Sequence, residues 1–91
     1  MNKINLSFDK KLTNLAGYDF GVRVFEEQVK NKLNFNEKFE LVFPDEIRMI
    51  ASSFVQGFFA GIVQQIGLKA TEENLVVSNE KLRNSIIKKL Q

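Results

Sequence analysis

Hydrophobic positions fall into short runs along the chain, and their spacing predicts an alternating order of strands and helices. Ile4, Leu6 and Phe8 alternate with polar residues, which is the period of a half-buried strand. The run FELVF at residues 39–43 is short, rich in strand formers and nearly all apolar, as expected for a central strand covered on both faces. The apolar residues 75–77 predict a third strand.

Between and after these strands the apolar spacing becomes helical. A first helix is predicted from Asp19 to about Leu33, where apolar residues share one stripe and charged residues lie outside it. Residues 68–74 contain two glutamates and are predicted to form a loop. A last helix is predicted to begin at Ser78 or Asn79, either of which could act as its cap.

The longest helical pattern occupies residues 52–66. It begins at the serine pair Ser52 and Ser53, because a serine side chain can accept hydrogen bonds from the free N–H groups of a first turn. Gly57 and Gly61 lie in its middle, and each costs about 1 kcal/mol against alanine unless something packs against the backbone there. We therefore expect this helix to approach a sheet closely. Gly67 is expected to end it with a left-handed cap.

The order strand, helix, strand, helix, strand, helix indicates an α/β fold with crossover connections. Ninety-one residues are enough for one domain with a single modest core, so residues 1–91 are predicted to form one domain. The predicted architecture is a mixed sheet of three to four strands with about three helices packed on it.

Composition excludes several classes of function. The chain has no cysteine and no histidine, so it lacks thiolate nucleophiles, the usual zinc ligands and the usual general base at neutral pH. We expect no enzymatic activity, no cofactor and no metal. A net charge of +2 does not by itself indicate nucleic-acid binding. No apolar run is long enough for a secretion signal or a membrane span, which predicts a cytoplasmic protein.

Two groups of residues outside the serine pair are candidates for partner binding. Asp45 and Glu46 are adjacent carboxylates on the turn after Pro44; they could contact a partner, whereas side chains on one turn rarely converge on a cation. Nine phenylalanines exceed what a small core obviously needs. Phe54 and Phe58 lie toward the edge of the apolar helix face, where they would form either ordinary core or an exposed docking or dimer patch.

The stretch VFPDEIRMIASSFVQGFFAGIVQQIG resembles the core signature of STAS-like domains, a group related to anti-sigma-factor antagonists. The similarity covers roughly residues 16–90. It rests on Val42-Phe43, Ile47, Ser53-Phe54 and the glycine-containing helix after them, with Gly21 and Arg23 in the preceding helix. The resemblance implies a STAS-like α/β fold and a prokaryotic or phage source.

In the anti-sigma-factor antagonists a serine at this helix start is phosphorylated, and Ser52 occupies the matching position. That serine is preceded by aspartate and followed within two residues by a glycine, where this chain has Ala51 and Phe54. The resemblance implies a phosphorylation site at Ser52. The alternative is that the serine pair is simply a helix cap.

These observations lead to three hypotheses about the function. The resemblance implies a non-catalytic regulatory module that contacts a regulatory kinase or an anti-sigma-like protein through Ser52 and the residues around it. A second hypothesis is a small phage or mobile-element protein that binds and blocks a host factor. A third is a phosphate-handling enzyme that uses the helix start at Ser52, although the chain has no glycine-rich phosphate loop.

Overall fold

A computed structural model describes residues 2–91, and Met1 lies outside the described residues. Residues 2–91 form four helices and five short strands, which confirms the predicted α/β class. In chain order the elements are β1 (Lys3–Asn5), β2 (Asn14–Leu15), α1 (Tyr18–Gln28), β3 (Phe39–Val42), β4 (Met49–Ile50), α2 (Ser52–Ile66), α3 (Leu68–Asn74), β5 (Leu75–Val76) and α4 (Glu80–Leu90).

The strands form two small parallel sheets in place of the single mixed sheet that was predicted. One sheet has the order β1-β3-β5, with Ile4 opposite Leu41 and Phe39 opposite Leu75. The other sheet pairs β2 with β4. Because β2 leads into α1 and β4 leads into α2, the second sheet determines where these two helices begin.

The central strand β3 is buried on one face only, so the expectation of two covered faces was wrong. Phe39 and Leu41 are fully buried, whereas Glu40 and Val42 are half-buried and point to the opposite face. Lys3 is opposite Glu40, so that face of the sheet is partly polar and open. A run of apolar residues in a four-residue strand therefore did not distinguish a covered face from a half-open one.

Phenylalanine rings connect the helices to the sheet through a continuous series of contacts. Phe58 lies at the branch point, with ring centroids 5.6 Å from Phe54, 4.8 Å from Phe59 and 5.9 Å from Phe25. From Phe25 the series continues through Phe35 to Phe39 of the sheet, at 6.2 and 5.1 Å. The phenylalanines thus form the core itself. Aromatic pairs at these separations stabilise the fold beyond what the burial of their apolar area contributes.

Residues 68–74 form the helix α3, so the predicted loop was wrong. Gly67 ends α2, as predicted, and its φ of +87° favours glycine, but its ψ of 161° lies outside the left-handed helical region, so the predicted left-handed cap was wrong. Thr71 is fully buried, and its hydroxyl donates to the carbonyl of Gly67 at 2.7 Å. That local hydrogen bond allows a polar side chain to enter the core.

The other helices agree more closely with their predicted patterns. Helix α1 begins one residue before Asp19 and ends at Gln28, earlier than the predicted residue 33. Asn79 caps α4, because its side chain accepts a hydrogen bond from the N–H of Leu82 at 3.1 Å. No helix within residues 2–91 combines the length and apolar character needed to cross a membrane.

Candidate functional site

The start of α2 lies beside the start of α1. Strands β2 and β4 run parallel, with Leu15 opposite Ile50, and the N–H of Ala51 donates to the carbonyl of Leu15 at 2.7 Å. Each helix begins two or three residues after the last residue of its paired strand, so their N-terminal ends are neighbours. The partial positive charges of two helix N-termini therefore add at one place on the surface.

Neither serine at the start of α2 has the predicted role of N-cap. Ala51 is the N-cap of α2, with extended backbone angles and no side-chain cap, and Ser52 and Ser53 are the first two helical residues. The prediction that either serine caps α2 was therefore wrong. The first hydrogen bond of α2 runs from the Val55 N–H to the carbonyl of Ala51 at 3.1 Å.

Ser53 instead connects the two helix starts. Its Oγ accepts a hydrogen bond from the N–H of Gly17 at 2.9 Å, and Gly17 is the N-cap of α1. Ser52 is also exposed, and its hydroxyl has no hydrogen-bond partner in residues 2–91. One serine is therefore committed to the fold and the other is available at the surface.

The end of α4 fixes the approach to α2. The ammonium group of Lys89 donates to the carbonyl of Ile50 at 2.5 Å and to Ser85 Oγ at 3.0 Å. The side-chain amide of Gln56 donates to the carbonyl of Lys89 at 2.7 Å. These hydrogen bonds hold the last residue of β4 and the second turn of α2 against α4.

A shallow groove lies beside the helix starts. It has a volume of about 180 Å³ and lies between the start of α1, the middle of α2 and the end of α4. Tyr18 forms one wall and is 52% exposed. We call Gly17, Tyr18, Ser52, Ser53 and Gln56 the helix-start surface.

Of the two alternatives for Phe54 and Phe58, the structure shows ordinary core and not an exposed patch. Phe54 and Phe58 are 1% and 0% exposed, so neither side chain can contact a partner directly, and their assignment as docking residues was wrong. Helix α2 packs mainly against α1, and Phe25 of α1 lies edge-on to the Phe58 ring at 5.9 Å. The Phe54 ring stacks on Phe58 and lies tilted against Phe20 of α1.

Asp45 and Glu46 are exposed on the turn before β4, which the Ile47 N–H closes by donating to the Pro44 carbonyl at 3.0 Å. Asp45 borders a cavity of about 360 Å³ with Arg48, whereas Glu46 borders a different cavity of about 230 Å³. The two carboxylates therefore do not converge, and neither lines the groove of the helix-start surface. No cluster of three acidic, histidine or cysteine side chains suited to a metal occurs in residues 2–91.

Sequence reasoning missed three residues of this region. Gly17 was not among the predicted site residues, although its position just before an apolar helical stripe is compatible with a helix N-cap. Tyr18 carried no signal, because its exposure depends on how α1 and α2 cross. Lys89 was not predicted either, because its contact with Ile50 spans 39 residues of chain.

Comparison with known proteins gives one match. A family model described as a STAS-like domain of unknown function matches residues 21–85, which is more than two thirds of the chain. The matched segment includes α1 from its fourth residue, all of α2 and the first six residues of α4. No curated protein and no solved structure matches the chain.

Proposed function

The chain belongs to the family of STAS-like domains of unknown function, and from that premise we propose that it acts as a non-catalytic protein-interaction module. Its contact is the helix-start surface, and its partner is a regulatory protein of the kinase or anti-sigma type in the cytoplasm. The observation that carries the proposal is the contrast between the two serines at the start of α2.

Ser53 orders the helix-start surface, and the Ser52 hydroxyl on it is free to contact a partner. The Gly17–Ser53 hydrogen bond and the Lys89–Ile50 hydrogen bond hold both helix starts from two sides. A surface that is already ordered loses little conformational entropy when a partner binds. The free Ser52 hydroxyl and the exposed ring of Tyr18 supply polar and aromatic contacts on that ordered surface.

The same arrangement suits regulation by phosphorylation at Ser52. A phosphate at the first helical residue adds a charge of about −2 and three acceptor oxygens. Helix N-termini favour such a group, and here the N-termini of α1 and α2 are adjacent. The folded state therefore tolerates the phosphate. The added negative charge changes the electrostatic character of the helix-start surface, and so it changes which partner binds there.

The proposal predicts a selective loss of partner binding from one charge substitution. Wild-type protein, Ser52→Ala and Ser52→Asp are immobilised and used to capture proteins from cells of the source, and the retained proteins are identified by mass spectrometry. We expect one partner to be retained by wild type and Ser52→Ala and lost from Ser52→Asp. The matched control is Ser78→Asp, since Ser78 is also exposed near a helix start but belongs to α4.

Equal retention by Ser52→Asp and Ser78→Asp, or no specific retention at all, would count against the helix-start surface. The nature of the captured protein separates the remaining alternatives. A kinase-like ATPase or an anti-sigma-like protein agrees with a regulatory module. A tightly held protein of unrelated function would instead agree with a phage or mobile-element inhibitor.

A further inference from the structure

The outer edge of β1 leaves backbone hydrogen-bonding groups unpaired. The Glu40 N–H donates to the Asn2 carbonyl at 2.9 Å, and the Leu6 N–H donates to the Val42 carbonyl at 2.8 Å. The backbone N–H and C=O groups of successive residues point to opposite sides of a strand. Those of the even-numbered residues therefore point toward β3. The N–H and C=O groups of Lys3 and Asn5 therefore face away from β3, and no partner for them occurs within residues 2–91.

The neighbouring edge positions of this sheet are closed by side chains. The Ser7 N–H donates to Gln28 Oε1 at 2.8 Å, and Gln28 Nε2 donates to the Ser7 carbonyl at 2.8 Å. A carboxamide thus occupies the place that the peptide group of a further strand would take. At the opposite edge of the sheet, Arg83 Nε donates to the outward carbonyl of Leu75 at 3.1 Å. Lys3-Ile4-Asn5 remains as an open segment of strand edge.

We propose that this segment pairs with the same segment of a second copy of the chain, antiparallel and centred on Ile4. In this register Lys3 lies opposite Asn5 of the second copy, and Asn5 lies opposite its Lys3. Each pair exchanges two backbone hydrogen bonds, so four bonds satisfy all the outward groups of both segments. The two three-stranded sheets then join into one six-stranded sheet about a two-fold axis.

The side chains of the segment are compatible with self-pairing. Lys3 and Asn5 are exposed and share the open face of the sheet, while Ile4 is half-buried on the face that packs against the core. The two Ile4 side chains form a central apolar pair in the register proposed. Each lysine lies opposite an asparagine, so no like charges oppose one another. A strand edge this short predicts a weak dimer with a small interface.

Charge substitutions at Asn5 test the register, because opposite charges should change the dimer dissociation constant in opposite directions. Asn5→Glu places a carboxylate opposite Lys3 of the other copy at two symmetric positions, and Asn5→Lys places an ammonium group there. We expect Kd to fall by roughly three- to tenfold for Asn5→Glu and to rise by a similar factor for Asn5→Lys at low salt. Sedimentation equilibrium over a range of protein concentrations measures Kd.

Two further measurements distinguish this edge from other surfaces. Asn84→Glu and Asn84→Lys make the same changes of net charge on the exposed face of α4 and should leave Kd unchanged. Amide hydrogen exchange should slow at Lys3 and Asn5 as protein concentration rises, whereas exchange at Ile4, whose N–H faces β3, should not depend on concentration. A protein that is monomeric at about 1 mM overturns the proposal. So does a dimer whose Kd is the same for both Asn5 variants.

Discussion

Gly21 of α1 lies directly against Gly57 of α2. A methyl group added at Gly21 would lie 3.3 Å from the carbonyl carbon of Gly57 and 2.7 Å from the nitrogen of Phe58. A methyl group added at Gly57 would meet the carbonyl oxygen of Tyr18 and lie 2.9 Å from its carbonyl carbon. The two helices therefore touch backbone to backbone, and the close approach expected at Gly57 is to α1, not to a sheet.

Gly57→Ala should destabilise the fold, even though alanine favours helix by about 1 kcal/mol. The neighbouring atoms belong to the backbone of Tyr18 and cannot rotate away, so α1 and α2 must separate. We expect a loss of about 1–3 kcal/mol in the free energy of unfolding, measured by urea denaturation.

Gly61→Ala is the matched control on the same helix. Its added methyl group would lie 3.3 Å from a ring carbon of Phe25, which borders an open cavity and has room to shift. Gly61→Ala should therefore be neutral or slightly stabilising. If both alanine variants had the same stability, backbone contact at Gly57 would not explain the glycine.

Ser53→Ala should weaken the connection between the helix starts. It removes the acceptor of the Gly17 N–H, and a hydrogen bond of this kind contributes about 0.5–1.5 kcal/mol. Amide exchange at Gly17 should accelerate in Ser53→Ala, and the free energy of unfolding should fall by about that amount. Ser52→Ala, which removes no hydrogen bond, should change neither quantity. An unchanged Gly17 exchange rate in Ser53→Ala would contradict the assignment.

Lys89→Met should loosen α4 from the start of α2. The ammonium group bonds the Ile50 carbonyl and Ser85 Oγ, and methionine keeps most of the side-chain volume while removing the donor. Hydrogen bonds to charged groups contribute about 1.5–3 kcal/mol, so we expect the free energy of unfolding to fall by an amount toward the lower end of that range. Lys88→Met changes the adjacent, exposed lysine and should have little effect on thermal denaturation. Equal effects of the two substitutions would indicate a general charge effect.

Phe58→Ala should lower the free energy of unfolding, because its side chain belongs to the core and not to a contact surface. Phe58 is fully buried at the branch point of the ring contacts, and removal of such a side chain costs about 3–5 kcal/mol. Tyr18→Ala, at a half-exposed position, should lose much less. Circular dichroism at increasing urea concentration compares the two. A Phe58→Ala protein as stable as wild type would show that this ring is not central to the core.

Local pattern determined the identity of most elements. The helical periodicities before and after Phe39 placed α1, α2 and α4, and Asn79 was correctly expected near a cap because that interaction joins residues three positions apart. The family resemblance was also contained in the sequence, since it depends on the stretch from Val42 to Gly67. It was confirmed by a match over residues 21–85.

Tertiary structure decided what each side chain does. Phe54 and Phe58 are buried because α1 packs over them through Phe20 and Phe25, and helical periodicity gives the face of a residue without saying how much of that face is covered. Ser53 bonds Gly17, 36 residues earlier, so no local rule could separate it from Ser52. The open edge at Lys3 and Asn5 likewise depends on which strand lies beside β1, a choice made only when distant segments of the chain meet.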